Sequence, residues 1–295
     1  MKLVMIVRQA TLLKGSRMRR IKICFLILFG IACLSFPAVA IQKKVNRSRL
    51  TAYRDNNCVN CHSGLIEPVR VSAHFYEWLN STHEKKGVGC DKCHGGNPSA
   101  KDMKTAHTGV LRAAFPQSGL NPKNLPATCG SCHQEVVSAF TGSKHYQKLQ
   151  ESGTGPSCTT CHHHMATSVI TWPPEASALC ANCHNESGGP AANYLDAPEK
   201  AGDVIAAFSR ADEVIDWTYF LIAEERKRPK GFRAEEAQLK RLEAVLKNAK
   251  LSWHGFDLGN SRQQADEVFT EATKIKNGLW KIAPSPQRDD PRQRQ

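Results

Sequence analysis

Ten of the chain's 12 cysteines fall into five Cys-x-x-Cys pairs, and each pair runs straight into a histidine. The motifs are Cys58-Val-Asn-Cys61-His62, Cys90-Asp-Lys-Cys93-His94 and Cys129-Gly-Ser-Cys132-His133, then Cys158-Thr-Thr-Cys161-His162 and Cys180-Ala-Asn-Cys183-His184. Zinc ribbons, dithiol redox sites and structural disulfides also use this cysteine spacing. On ordinary residue frequencies, histidine follows such a pair by chance about one time in twenty or fewer. Five out of five, with none of these cysteines left over, points instead to covalent attachment of haem c. Both thiols of a pair become thioethers on the porphyrin, and the adjoining histidine becomes the proximal iron ligand. The cofactor expected is therefore five haem c groups, held by Cys58, Cys61, Cys90, Cys93, Cys129, Cys132, Cys158, Cys161, Cys180 and Cys183, with His62, His94, His133, His162 and His184 on the irons.

The sixth iron position decides what such a site can do. Seven histidines remain, and among them a spacing recurs. His74 follows His62 by 12 residues, in Ser72-Ala73-His74. His145 follows His133 by 12, in Ser143-Lys144-His145, and His107 follows His94 by 13, in Thr105-Ala106-His107. These triplets suggest one supersecondary unit used repeatedly, each unit delivering a distal ligand to a neighbouring haem. Ser81-Thr82-His83 starts a second pattern, and His254 falls on a helical seam that must pack on the haems. The favoured distal set is thus His74, His83, His107, His145 and His254. His163 and His164 directly follow a proximal ligand and could serve only another haem, while Met103 and Met165 are alternative sixth ligands.

The positioning chain is short. All five motifs lie within residues 58–184, roughly 25 positions per motif, too few to wrap each haem separately. The expected fold is mainly α: a compact, haem-packed multihaem cytochrome with little regular sheet, followed by long C-terminal helices. After Gly188-Gly189-Pro190 the pattern turns helical. Val204, Phe208, Ala211, Ile215, Thr218 and Ile222 form one apolar seam, and Leu239, Leu242, Leu246, Ala249 and Trp253 form another, broken from the first at Pro229-Lys230-Gly231. Narrow seams of this kind suit pairing with each other or with a second subunit. A third helix is expected from Ser261 to about Asn277, and a disordered tail over 283–295.

Residues 1–40 carry seven Lys/Arg and no Asp/Glu, with a 14-residue apolar run from Ile23 to Phe36 and small residues at Ala38-Val39-Ala40. The run would rise about 21 Å as a helix, short of a ~30 Å bilayer core, which reads as a secretory signal cut after Ala40. Met18 is a candidate start, and Cys24 and Cys33 would leave with the signal. The expected organisation is signal peptide 1–40, pentahaem domain 41–190, helical region 191–282 and tail 283–295. A periplasmic location is expected, since haem is attached outside the cytoplasm, ahead of the alternatives of a membrane-anchored or extracellular protein. Loss of seven positive charges takes the formal +13 to +6, and ten haem propionates against five irons lower it further. That balance argues against nucleic acid as a partner. Hydrophobic content of 41% excludes a disordered chain, and a mean hydropathy of −0.42 excludes a polytopic membrane protein.

Three stretches together resemble the multihaem cytochrome superfamily that includes cytochrome c554, hydroxylamine oxidoreductase and pentahaem nitrite reductase. They are Ser81-Thr82-His83 through Gly87-Val88-Gly89-Cys90-Asp91-Lys92-Cys93-His94-Gly95, Cys129 to His133 with Ser143-Lys144-His145, and Trp253-His254-Gly255-Phe256-Asp257. The resemblance implies closely stacked haems, mostly bis-histidine iron, and terminal helices that pack on haems or on a second subunit. Two departures stand out. The pentahaem nitrite reductases carry a CxxCK motif that is absent here, and hydroxylamine oxidoreductase carries about eight haems. The expected function is an electron relay between redox partner proteins (donor and acceptor cytochromes or a membrane quinol-oxidising complex), either free or as a subunit of a complex or homodimer through the C-terminal helices. The alternative is an oxidoreductase acting on a small nitrogen or sulfur oxyanion at one five-coordinate haem.

Overall fold

The computed structural model describes residues 47–187, 189–225 and 231–282. The expected signal peptide, with Met18, Cys24 and Cys33, and the tail from Ala283 lie outside them. The residues from Arg49 onward form one compact unit; of the preceding unit, Met1–Ser48, only the start of a 3-10 helix at Arg47–Tyr53 is described. Every regular element among the described residues is helical, in agreement with the mainly α expectation.

The motif-bearing half is built from short helices joined by turns: α1 (Asn57–His62), α2 (Val69–Leu79), α3 (Thr82–Lys85), α4 (Asp91–His94), α5 (Met103–Ala106), α6 (Leu125–Gly130), α7 (Gln134–Thr141), α8 (Lys144–Ser152), α9 (Cys158–His162) and α10 (Pro173–Ala181). Helices this short do not hold themselves, so their ends are capped. Asn56 Oδ1 accepts from Cys58 N at the start of α1, Ser81 Oγ from Glu84 N (3.0 Å) at α3, Asp102 Oδ1 from Thr105 N (2.9 Å) at α5, and Ser143 Oγ from Tyr146 N (3.1 Å) at α8. Little apolar surface is buried here. A cluster of Tyr53, Phe75 and Trp78 backs the first two motifs, with the Tyr53 hydroxyl donating to Glu84 O (2.8 Å) and Trp78 Nε1 to Val88 O (3.0 Å). Meanwhile Ile66, Met103 and Val169 are 80%, 78% and 70% exposed.

The apolar core lies in the other half, between α10 and three long helices, α11 (Ala197–Glu225), α12 (Arg233–His254) and α13 (Leu258–Ile282). Every residue of the first expected seam is buried, and Thr218 satisfies its hydroxyl on Val214 O (2.6 Å). Leu239, Leu246 and Ala249 of the second seam are buried as well. The two seams do not chiefly face each other. Both pack on α13, and α11 also packs on α10. The third helix runs longer than expected, starting three residues before Ser261 and ending at Ile282. Ion pairs such as Lys250–Asp212 (2.8 Å) and Arg210–Asp266 (3.0 Å) lie on the exposed faces and contribute at most about 1 kcal/mol each. Burial at the seams holds this half together.

Candidate haem-binding centre

The geometry of each motif is set locally. In the second, third and fifth motifs the first cysteine's carbonyl accepts from the N–H of the second cysteine (3.2 Å) and from that of the histidine (2.9 Å). One helical turn thus puts positions i, i+3 and i+4 on the same side, two thiols beside one imidazole. None of the ten cysteines is joined to another in a disulfide. Burial pushes the Cys90 and Cys180 thiols up to about 11, so they are held neutral.

The motif histidines do not stand alone. His62 faces His107 with ring centroids 6.1 Å apart, His133 faces His83 at 6.2 Å, His184 faces His145 at 5.9 Å, and His162 faces His254 at 6.2 Å with the rings nearly parallel (16°). The imidazole that acts most strongly on His94 is His74. Four motif histidines are therefore each faced by a different member of the favoured distal set, and His74 is the member left for His94. A metal bound by two imidazole nitrogens at the usual ~2.0–2.1 Å separates those nitrogens by ~4 Å and the ring centroids by ~6.3 Å. The four measured separations fit an ion held between the rings. Among the described residues no three or more His, Cys, Asp or Glu side chains converge as a zinc-type ligand set. Paired imidazoles with paired thiols suit a macrocycle that brings its own four equatorial donors.

Tautomer and charge fit the same group. A ligating imidazole must be neutral, with its second nitrogen usually donating to an acceptor. The Nδ1 atoms of His107, His162, His184 and His254 lie 2.8, 2.9, 3.1 and 2.7 Å from the carbonyls of Met103, Ser168, Ala191 and Lys250. His83 Nδ1 lies 2.9 Å from Thr167 Oγ1. A carbonyl can only accept, so the four Nδ1 atoms that face carbonyls donate and leave Nε2 with its lone pair; the Thr167 hydroxyl can accept from His83 Nδ1 in the same way. Burial first, and then the charge of the facing imidazole, holds His62, His83, His94 and His145 below the ordinary histidine range; burial also dominates for His254.

The recurring triplets prove to be three different settings. Ser143 is the N-cap of α8, which puts His145 in its first turn, and Ser81 does the same for His83 on α3. His74, by contrast, lies in the middle of α2, and His107 follows the last residue of α5. The near-constant offset does not reflect one shared unit; the setting that recurs is the N-capped one at 81–83 and 143–145. Trp253-His254 closes α12, with Gly255 N donating to Leu251 O (3.1 Å). Of the weaker candidates, His163 turns its Nε2 to Glu175 Oε1 (3.2 Å), His164 is exposed, and the Met103 side chain points to solvent. Sequence reasoning missed the Nδ1 acceptors, which are mostly backbone carbonyls with no residue signature. It also missed Phe256, whose ring lies 3.8 Å from that of His145 and whose backbone is left-handed (φ 62°).

The sequence profile of the cytochrome c3 family matches residues 82–185, and that of cytochrome c554 and c-prime matches residues 35–95. Together they cover all five motifs. The similarity is to multihaem c-type cytochromes. The C-type polyheme cytochrome OmcC of Geobacter sulfurreducens is 31% identical over 117 residues, 37% of this chain and 14% of that protein. The C-type polyheme cytochrome OmcB of the same species is 26% identical over 186 residues, 44% of this chain and 25% of that protein. The chain thus spans a quarter or less of the length of these relatives. No solved structure matches.

Proposed function

We propose that the chain is an exported pentahaem c-type cytochrome that relays electrons between redox partner proteins. In this reading the axial pairs are His62/His107, His94/His74, His133/His83, His162/His254 and His184/His145, one pair per haem. The observation that carries it is the facing of four motif histidines, His62, His133, His162 and His184, by four different histidines of the distal set at about 6 Å between ring centroids; His94 takes His74 as the remaining member. Haem iron between two neutral imidazoles supplies one-electron exchange at comparatively low potential. The chain's own residues would supply two imidazoles to each iron, and burial holds His62, His83, His94, His145 and His254 below the ordinary histidine range, which would leave no position on the iron for a substrate.

Contacts between successive motifs support a relay in chain order. Asn56 Nδ2 donates to Asp91 Oδ1 (3.0 Å) between the first and second motifs. The Gly119 carbonyl takes the Thr128 hydroxyl (2.7 Å) beside the third motif, and a Cβ on Gly119 would come within 3.9 Å of Cys93 O of the second. Then α6 packs on α9, and α9 on α10. Export to the periplasm rests on residues 1–40. A partner or a second copy would meet the outer faces of the long helices, where Trp217, Phe220 and Trp280 are about half exposed.

The alternative, an oxidoreductase of the hydroxylamine oxidoreductase or nitrite reductase type acting on a small nitrogen or sulfur oxyanion, would draw on His94, whose partner His74 makes no ring contact with it. Low-temperature EPR of the oxidised holoprotein, with and without nitrite or hydroxylamine, separates the two. Low-spin signals indifferent to both ligands are expected. A high-spin component that shifts on ligand addition would favour the oxidoreductase.

A further inference from the structure

The irregular segment between α9 and α10 holds a contact that spans two of the axial pairs. Thr167 Oγ1 lies 2.9 Å from Nδ1 of His83, 84 residues away in sequence. The Thr167 carbonyl accepts from Thr82 N (3.1 Å). The next carbonyl, that of Ser168, is 2.9 Å from Nδ1 of His162. His83 faces His133 and His162 faces His254. Two consecutive residues therefore touch the far imidazole of the third site and the near imidazole of the fourth.

The contact also explains how so short a helix holds a ligand. The first N–H groups of a helix have no partner within it. In α3 the Ser81 hydroxyl takes one of them, Glu84 N, and the Thr167 carbonyl takes another, Thr82 N. Ser81 is itself buried at 1% exposure. The first turn of α3 is thus fastened at both sides of His83, and its ring is aimed by a hydroxyl from a different motif's loop. A threonine hydroxyl can accept from Nδ1–H while donating its own hydrogen elsewhere. In that arrangement Nε2 carries the lone pair, and the imidazole is made more basic.

Resting on the axial pairs proposed above, we infer that Thr167 is a positioning residue for the distal ligand of the third haem, and that the 167–168 turn ties the third and fourth haem sites into one unit. The hydroxyl favours the oxidised iron of the third haem, and its loss raises that haem's midpoint. It also holds the ring in place against competing ligands.

The test compares Thr167→Val, Thr167→Ser and His83→Ala in the full-length holoprotein. The readouts are haem content, a spectroelectrochemical titration and cyanide binding to the oxidised protein. Thr167→Val is expected to keep five haems, raise the midpoint of one of them, and tighten cyanide binding at one site by about 10-fold or more, on the order of what loss of an outer-shell partner costs a metal site. Thr167→Ser should return both values to wild type. If the valine protein does not accumulate, Thr167→Ala takes its place with the same expectations. Unchanged midpoints and cyanide affinity in Thr167→Val, alongside a newly high-spin haem in His83→Ala, would overturn the inference while leaving the ligand reading standing. A serine variant that behaves like valine would assign the effect to packing and also overturn it. A His83→Ala protein whose haems all stay low-spin would sink the ligand assignment itself.

Discussion

Replacing His254 with alanine deletes the imidazole that faces His162 at 6.2 Å with a 16° tilt, the spacing at which two nitrogens straddle one metal. Alanine keeps only Cβ, so nothing from α12 reaches the iron. The other imidazole acting on His254, that of His133, is already opposed by His83. The helix itself should survive, because Gly255 N still closes its last turn on Leu251 O (3.1 Å) and Leu246 and Ala249 stay buried. One haem of the five, about a fifth of the total, then becomes five-coordinate and high-spin. The assay is carbon monoxide titration of the reduced protein with EPR spin integration of the oxidised one. Wild type should bind none at its saturated irons, and His254→Ala should bind one equivalent per chain. His163→Ala and His164→Ala should bind none. A His254→Ala protein that takes up no carbon monoxide and keeps its low-spin integral would refute the pairing of His254 with His162. Carbon monoxide binding by wild type would refute the closed-iron reading as a whole.

Further outcomes follow from the same contacts. Cys58→Ser with Cys61→Ser should lower haem content from five to four per chain in a pyridine haemochrome assay, and loss of two or more would show that the sites are not attached independently. A Cβ on Gly155 would run into the His145 carbonyl and the Leu149 backbone, so Gly155→Ala should displace α8 and turn the haem of the fifth motif partly high-spin. Gly87→Ala meets open space and should cost only the roughly 1 kcal/mol of its left-handed backbone. Leu239→Ala, at a fully buried position of the α12 seam, should destabilise the helical half by about 2–5 kcal/mol in urea unfolding followed by circular dichroism. Phe256→Ala, which uncovers the His145 ring, should raise imidazole binding at one haem, and an unchanged affinity would show that the ring contact does not hold the ligand.

Legibility in the sequence followed the range of the interactions. The seam of α11 was readable because helical periodicity is a local property, and each of its six residues is buried as the spacing required. What covers that seam was not readable. Two amphipathic stripes next to each other suggest a hairpin, yet both pack chiefly on α13, for which the sequence reading named no apolar seam. The Ser-x-His triplets misled for a related reason. A hydroxyl two residues before a histidine is a cap only where a helix starts, as at Ser81 and Ser143, and Ser72 and Thr105 lie in other settings.

The cysteines and histidines by themselves pointed to the chemistry proposed for this protein. Thiols at i and i+3 and an imidazole at i+4 form one attachment unit within a single helical turn, with no help from the rest of the chain. A small histidine inventory also limited the distal candidates to a few. Only the tertiary structure decided which imidazole faces which. Partners such as His62 and His107 or His162 and His254 are brought together by caps, turns and helix packing that no spacing rule encodes. The acceptors that fix their tautomers are mostly carbonyls, which every residue possesses and only the fold can aim.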